Sequence, residues 1–257
     1  MFFASALLLP FFLRSDARGG MTRRDILISV ISGCFLALHF ATWITSLDLT
    51  TVASSTVLVD MHPLLVYGAG IVFLGEFPSR RRLFMIGISV IGAVVLSWGD
   101  WAVGPEAFRG DVLAFLGAVF VTGYMIIGRT VRSRLTLTAY TFLVYFSAAS
   151  LLGGISLVGP FVDSGTTSTI LTLLPAREYL IFGALTLFCT LLGHSLLNWS
   201  LRYVSPSFVS VAWLAEPVFA TVLAVLLLGE IPGITNIVGG GVILGSIYGF
   251  IRIEPTA

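Results

Sequence analysis

Long, nearly uninterrupted apolar runs alternate with short polar breaks along this 257-residue chain. Read between the breaks, they form eight segments: residues 26–47, 52–74, 83–98, 112–128, 139–160, 179–201, 208–228 and 234–251. Runs of about 18 or more apolar residues predict transmembrane helices. Segments 83–98 and 112–128 are the short ones, and their flanks can extend them. A membrane-spanning barrel would instead show ten-residue strands of alternating polarity, so the pattern predicts an all-α, polytopic helical membrane protein. Ahead of these segments, residues 1–13 are apolar but would span only about 20 Å as a helix, short of a hydrocarbon core of roughly 30 Å. No basic region precedes them, as a signal peptide would require. They read as the second half of a transmembrane helix, giving about nine segments.

Composition narrows the class. Hydrophobic residues make up 57% of the chain and charged residues 11%, against about 25% charged in an ordinary soluble domain. With a mean hydropathy of +1.01, a water-soluble globule, a disordered chain and a nucleic-acid surface are excluded. Two cysteines inside apolar runs give no disulfide framework. The net charge of +1 hides an asymmetry, because all 14 basic residues are arginine. If the spans alternate, Arg14, Arg18, Arg23, Arg24, Arg80, Arg81, Arg82, Arg129, Arg132, Arg134, Arg202 and Arg252 fall on one side. Only Arg109 and Arg177 fall on the other. The positive-inside rule then places the arginine-rich loops and the C-terminus in the cytoplasm.

The chain also repeats itself. An offset of 154 residues carries Ser46-Leu47 onto Ser200-Leu201, Pro63 onto Pro217, Gly75-Glu76 onto Gly229-Glu230, Pro78 onto Pro232 and Gly87 onto Gly241. One helix earlier, an offset of 155 carries Cys34, Leu36 and His39 onto Cys189, Leu191 and His194. The first Gly-Glu turn is followed by three arginines and the second by none nearby, so the copies lie inverted in the membrane. Residues 110–257 hold five spans. Residues 1–100 hold three and a partial fourth, and residues 101–109 link the copies on the outer side. The first copy therefore reads as lacking its first helix and part of its second, so nine of an expected ten segments are present.

On these residues the sequence resembles the EamA-type proteins of the drug/metabolite transporter superfamily. Their two five-helix repeats, each with a mid-helix proline and a Leu-Gly-Glu turn, are matched by Pro63 with Leu74-Gly75-Glu76 and by Pro217 with Leu228-Gly229-Glu230. Gly110-Asp111-Val112-Leu113-Ala114 is similar to the opening of that family's second repeat. The resemblance implies secondary transport, in the direction of export, of a small polar or amphipathic metabolite across the inner, cytoplasmic membrane. Two alternatives stay open: a truncated, non-transporting membrane protein or scaffold, and, further off, an intramembrane enzyme.

Ionisable residues within a span cost about 2.5–3.5 kcal/mol on insertion scales and so mark candidate pathways. Asp60 and Glu216 lie near the middle of their segments, beside Pro63 and Pro217. His62 is the strict repeat partner of Glu216. Proline frees backbone carbonyls, and the sites of inverted-repeat transporters sit at such interruptions. Substrate binding or proton coupling at Asp60, His62 and Glu216 competes with a plain interhelical hydrogen-bonding role. The repeat also relates His39 to His194, either as cavity lining or as neutral rings bonded to neighbouring helices. Asn198 shares a face with His194, Trp213 flanks Glu216, and Tyr67 falls near the Asp60 face. Each of these is a candidate solute contact or simple packing. Gly75, Glu76, Gly229 and Glu230, with the two prolines, read as helix stops and starts. Gly241, Gly245 and Gly249 read as a close-packing helix face.

Enzymatic chemistry finds little support. Asp60 and His62, about 200° apart on a continuous helix, would not share a metal. No metalloprotease motif, nucleophile elbow or phosphate-binding glycine loop occurs. No metal or cofactor is expected; the expected partners are the bilayer, a small solute and, if transport is coupled, protons. The sequence leaves proton antiport and facilitated diffusion both open, along with the oligomeric state.

Overall fold

The computed structural model describes residues 1–14, 21–75, 79–96, 104–158, 175–223, 225–226 and 233–253. Every regular element among them is helical: α1 (Phe2–Arg14), α2 (Arg23–Leu49), α3 (Val52–Val59), α4 (His62–Leu74), α5 (Arg80–Leu96), α6 (Pro105–Arg132) and α7 (Leu137–Val158) come first. There follow α8 (Ala176–Ala184), a π-helical stretch (Leu185–His194), α9 (Ser195–Ser200), α10 (Pro206–Trp213), α11 (Glu216–Leu223) and α12 (Ile234–Arg252). Joined across their short breaks, these give seven helices long and apolar enough to cross a membrane. α1 has 13 residues and α5 has 17, the first three of them arginine. Large apolar side chains such as Val72, Phe73, Leu180 and Phe188 face outward. Such a surface is unfavourable in water and native to lipid. The protein is a polytopic, all-α membrane protein.

Contacts divide the chain into two units, one of residues 1–38 and 127–203 and one of residues 39–126 and 204–257. In the first unit, α1 lies against α7, with Phe12 stacked on Phe142 at 4.3 Å between ring centroids. Gly33 lets α2 approach α7 closely, since a Cβ there would lie 1.9 Å from Ser147 Oγ and 2.5 Å from the Val144 carbonyl. Ser32 and Tyr140 hydroxyls bond at 2.6 Å. The start of α2 is fixed by Thr22 and Asp25, which bond each other reciprocally, and Asp25 pairs with Arg134 at 3.6 Å.

In the second unit, α5 and α12 pack antiparallel over most of their length. Ser89 and Ser246 share a hydrogen bond, and a Cβ on Gly92 would lie 2.9 Å from the Ile243 side chain. The 154-residue offset exchanges these contacts, carrying Ser89 onto Ile243 and Gly92 onto Ser246. A pair of contacts that swap partners in this way is the signature of a two-fold axis between the helices. The same offset carries the bounds of α3 onto those of α10 and the starts of α4 and α5 onto those of α11 and α12. The caps correspond as well: Thr51 Oγ1 accepts from the Ser54 N–H, and Ser205 Oγ accepts from the Phe208 N–H.

The close approach of α12 runs through Gly239, where a Cβ would lie 2.4 Å from the Leu96 nitrogen. Gly241 and Gly245, expected on that face, have open space around them, and Gly249 alone of the three meets another helix, at Met85. Spacing by four defines a face but not the direction in which that face points. Gly75 ends α4 in the left-handed conformation at φ 66°, its N–H bonded to the Gly70 carbonyl. Glu76, Pro78, Gly229, Glu230 and Pro232 lie outside the described residues.

Candidate functional site

Two helices of the second unit break in mid-span, and the breaks gather the titratable residues. α3 ends before Asp60 and α4 restarts at His62. α10 ends at Trp213 and α11 restarts at Glu216. Both breaks follow from proline at the second position of the new helix, which can neither donate a backbone hydrogen bond nor tolerate the preceding carbonyl in its α position. The chain tightens there: Met61 N–H bonds the Leu58 carbonyl, and Leu214 and Ala215 bond Val211 and Ala212, all three residues back.

Pro63 would orphan the Val59 carbonyl four residues earlier. The His62 imidazole fills the gap, its Nδ1 lying 3.1 Å from that oxygen. A carbonyl only accepts, so Nδ1 carries the proton. His62 is 4% exposed, and its Nε2 is buried without a hydrogen-bond partner among the described residues. Asp60 Oδ2 is buried and unpartnered in the same way. Asp60 lies within electrostatic reach of Glu216, and the Glu216 carboxylate accepts a hydrogen bond from the Trp213 indole. The Trp213 ring meets His62 edge-on, with centroids 5.8 Å apart and planes at 82°. Asp60, His62, Trp213 and Glu216 thus form one cluster. An open pocket of about 480 Å³ touches the cluster at Trp213 and Glu216, lined also by Ala212, Ala215, Phe219 and Leu223 and not by Asp60 or His62.

The other expected residues fall elsewhere. His39, in the same unit, bonds the Gly117 carbonyl through Nδ1 at 2.9 Å and stacks on Trp43 at 5.7 Å. Tyr67 is buried in an apolar cluster with Ile86, Val211 and Phe250, and its hydroxyl donates to the Ser79 carbonyl at 2.9 Å. His194 and Asn198 belong to the first unit. His194 closes the π-helical stretch. Asn198 is fully buried against the Tyr145 hydroxyl, which also meets Ser195 Oγ at 3.0 Å and the Thr190 carbonyl at 3.2 Å.

Two features escaped the sequence. Trp43 stacks on His39, yet its indole N–H has no partner among the described residues. Arg129 and Arg132, read above only as topology signals, also cap a helix end. Arg132, 1% exposed, donates through Nε to the Asn198 carbonyl at 2.9 Å and through Nη1 to that of Leu135. Arg129 donates to the Leu201 and Arg202 carbonyls. A basic residue in the last turn of α6 was visible in the sequence; which carbonyls it would meet was not.

The cluster offers hydrogen-bond acceptors beside an aromatic face, which suits binding a solute or holding protons. Among the described residues no three His, Cys, Asp or Glu side chains are grouped closely enough to hold a metal ion. The break at Asp60 and Met61 removes the continuous-helix premise on which Asp60 and His62 were expected to diverge.

Comparison with known proteins follows from this geometry. The profile of the EamA-like transporter family matches residues 1–98 and 108–252. The pseudopaline exporter CntI of Pseudomonas aeruginosa strain UCBPP-PA14 is 25% identical over 250 residues, 95% of this chain and 82% of that protein. The uncharacterized transporter YxxF of Bacillus subtilis strain 168 is 24% identical, over 85% of this chain and 67% of that one. A crystal structure superposes with a TM-score of 0.72 at 18% identity, covering 98% of this chain and 97% of its own, and so shares the fold.

Proposed function

The chain belongs to the EamA-like transporter family, and on that premise we propose that it is a secondary transporter exporting a small polar or amphipathic metabolite across the cytoplasmic membrane. A relative described as an exporter, aligned over most of both chains, supports the direction. The observation that carries the site is the pair of proline breaks, which bring Asp60, His62 and Glu216 together beside Trp213 in an apolar bundle. Buried acceptors without partners are costly in such a setting. A structure that merely tied helices together would satisfy them.

Residues 1–100 and 110–257 act as two inverted repeats in this reading, joined by residues 101–109. The matched helix bounds and the reciprocal α5–α12 contacts support that division. Transport proceeds by alternating access around the cluster in this reading, with protons as the coupling ion where a carboxylate releases one for each solute bound. The arginine asymmetry supports a cytoplasmic C-terminus.

The test compares the medium of cells expressing the wild type with that of cells expressing the Asp60→Asn, Glu216→Gln double variant, by untargeted metabolite profiling. Solutes enriched only by the wild type are then followed by counterflow in proteoliposomes across a pH gradient. Loss of export in a double variant that still reaches the membrane is the expected result. Undiminished export would remove the cluster from the transport path.

A further inference from the structure

The helix break does more than place His62; it fixes which atom of the ring the site can use. Pro63 leaves the Val59 carbonyl without a backbone donor, and the His62 Nδ1–H supplies one at 3.1 Å. In the neutral ring the proton cannot also be on Nε2. Nε2, at the far corner of the ring, is therefore a bare lone pair, buried and unpartnered.

Among the described residues Asp60 presents an unpartnered oxygen, and Glu216 presents a carboxylate that the Trp213 indole engages. His39, also within electrostatic reach of His62, spends its own Nδ1–H on the Gly117 carbonyl. Among the described residues of this unit no cationic side chain answers the two carboxylates, since its arginines, at positions 80, 81, 82, 109 and 252, sit at or near helix ends. A protonated carboxyl brings one O–H donor of its own; a solute that brings donors and positive charge satisfies the cluster while its carboxylates are ionised. One ammonium and one proton would neutralise the pair of carboxylates. An ammonium brings N–H donors that an acceptor such as Nε2 or a carboxylate oxygen can take, and the flanking Trp213 suits a cation or an aromatic body.

We propose that His62, held as the Nδ1–H tautomer by the carbonyl that Pro63 orphans, is a substrate-contacting acceptor, and that with Asp60 and Glu216 it selects solutes bearing a protonated amine over carboxylates of the same shape. This deepens the proposed transport site and rests on it. The device belongs to one repeat only, because the equivalent place before Pro217 holds Glu216, an acidic acceptor, instead of an imidazole.

The chain has three histidines, so selective histidine ¹⁵N labelling of the full chain in nanodiscs gives a resolvable spectrum, assigned with His62→Asn. Phenethylamine, 2-phenylethanol and phenylacetate serve as probes of nearly one shape and three charges. The expected result is a neutral Nδ1–H tautomer for His62, with an Nε2 resonance that moves with phenethylamine and stays put with phenylacetate. A neutral Nε2–H tautomer, or a response to phenylacetate in place of the amine, overturns the proposal. A second arm uses the different reach of two amides. His62→Asn keeps a donor near the Nδ1 position and should retain the fold, yet bind phenethylamine about tenfold or more weakly by calorimetry, as expected for losing a hydrogen bond to a charged group. Wild-type affinity in a folded His62→Asn overturns the contact. Should both His62→Asn and His62→Gln fail to fold, the tautomer and probe response of the wild type decide alone. Failure of the site itself looks different: Asp60→Asn, Glu216→Gln would then leave export intact, whatever the charge of the solute.

Discussion

Replacing Gly239 with alanine should loosen the α5–α12 pair, while the same change at Gly241, two residues along the same helix, should not. At Gly239 the added Cβ would lie 2.4 Å from the Leu96 nitrogen, 2.6 Å from its Cα and 2.7 Å from the Gly92 carbonyl oxygen. All three are backbone atoms, so no side chain can swing aside. Ordinary contact begins near 3.4 Å, and the helices must part by about 1 Å. That movement breaks the Asn236 Nδ2 bond to the Leu96 carbonyl, now 3.1 Å, and strains the Ser89–Ser246 bond one turn beyond Gly92. Interhelical hydrogen bonds in membranes average about 0.6 kcal/mol, and overpacking costs typically 1–3 kcal/mol. Alanine's better helix propensity returns about 1 kcal/mol. The net loss is about 1–3 kcal/mol, roughly a five- to 150-fold shift in the unfolding equilibrium. Gly241, with nothing within 4 Å, keeps only the propensity gain. Steric-trap unfolding of both variants in bicelles measures the difference. A Gly239→Ala protein as stable as Gly241→Ala would refute the packing assigned to this helix pair.

Thr51→Ala and Ser205→Ala each remove a side-chain cap at equivalent helix starts. Each should cost about 1 kcal/mol, and unfolding midpoints that differ widely would show that the two starts are not equivalent. Arg132→Leu leaves the Asn198 and Leu135 carbonyls buried without their donor, a loss of about 1–3 kcal/mol readable in the same unfolding assay. Arg132→Lys should recover only part of it, because an ammonium lacks the planar fork that reaches both oxygens. A fluorescent-protein fusion at the C-terminus should glow and a phosphatase fusion there should stay inactive, as a cytoplasmic end requires; the opposite pair of results would reverse the proposed orientation.

Much of this was legible in the residues. Continuous apolar runs leave helices as the only way to satisfy backbone groups in lipid, so the fold class followed from patterning. Pro63 and Pro217 announced the helix breaks, because a missing N–H acts locally whatever surrounds it. The carboxylates stood out for the same kind of reason: an acid within a span is expensive wherever it points.

Direction was what the sequence withheld. It named Tyr67 as a candidate contact without showing the apolar cluster, with Ile86 and Phe250, in which the ring is buried. It offered Gly241, Gly245 and Gly249 as a packing face; Gly249 does meet Met85 of α5, but Gly241 and Gly245 are open and the backbone approach falls on Gly239. It counted Arg132 as a charge beside the membrane without showing the carbonyls that draw it inside. The sequence by itself determined the elements, their breaks and the candidate acids, since each depends on a few neighbouring residues and on the solvent. Only the tertiary structure decided which faces meet and which ring nitrogen of His62 is left open, because helix rotation and hydrogen-bond partners depend on residues far away in the chain.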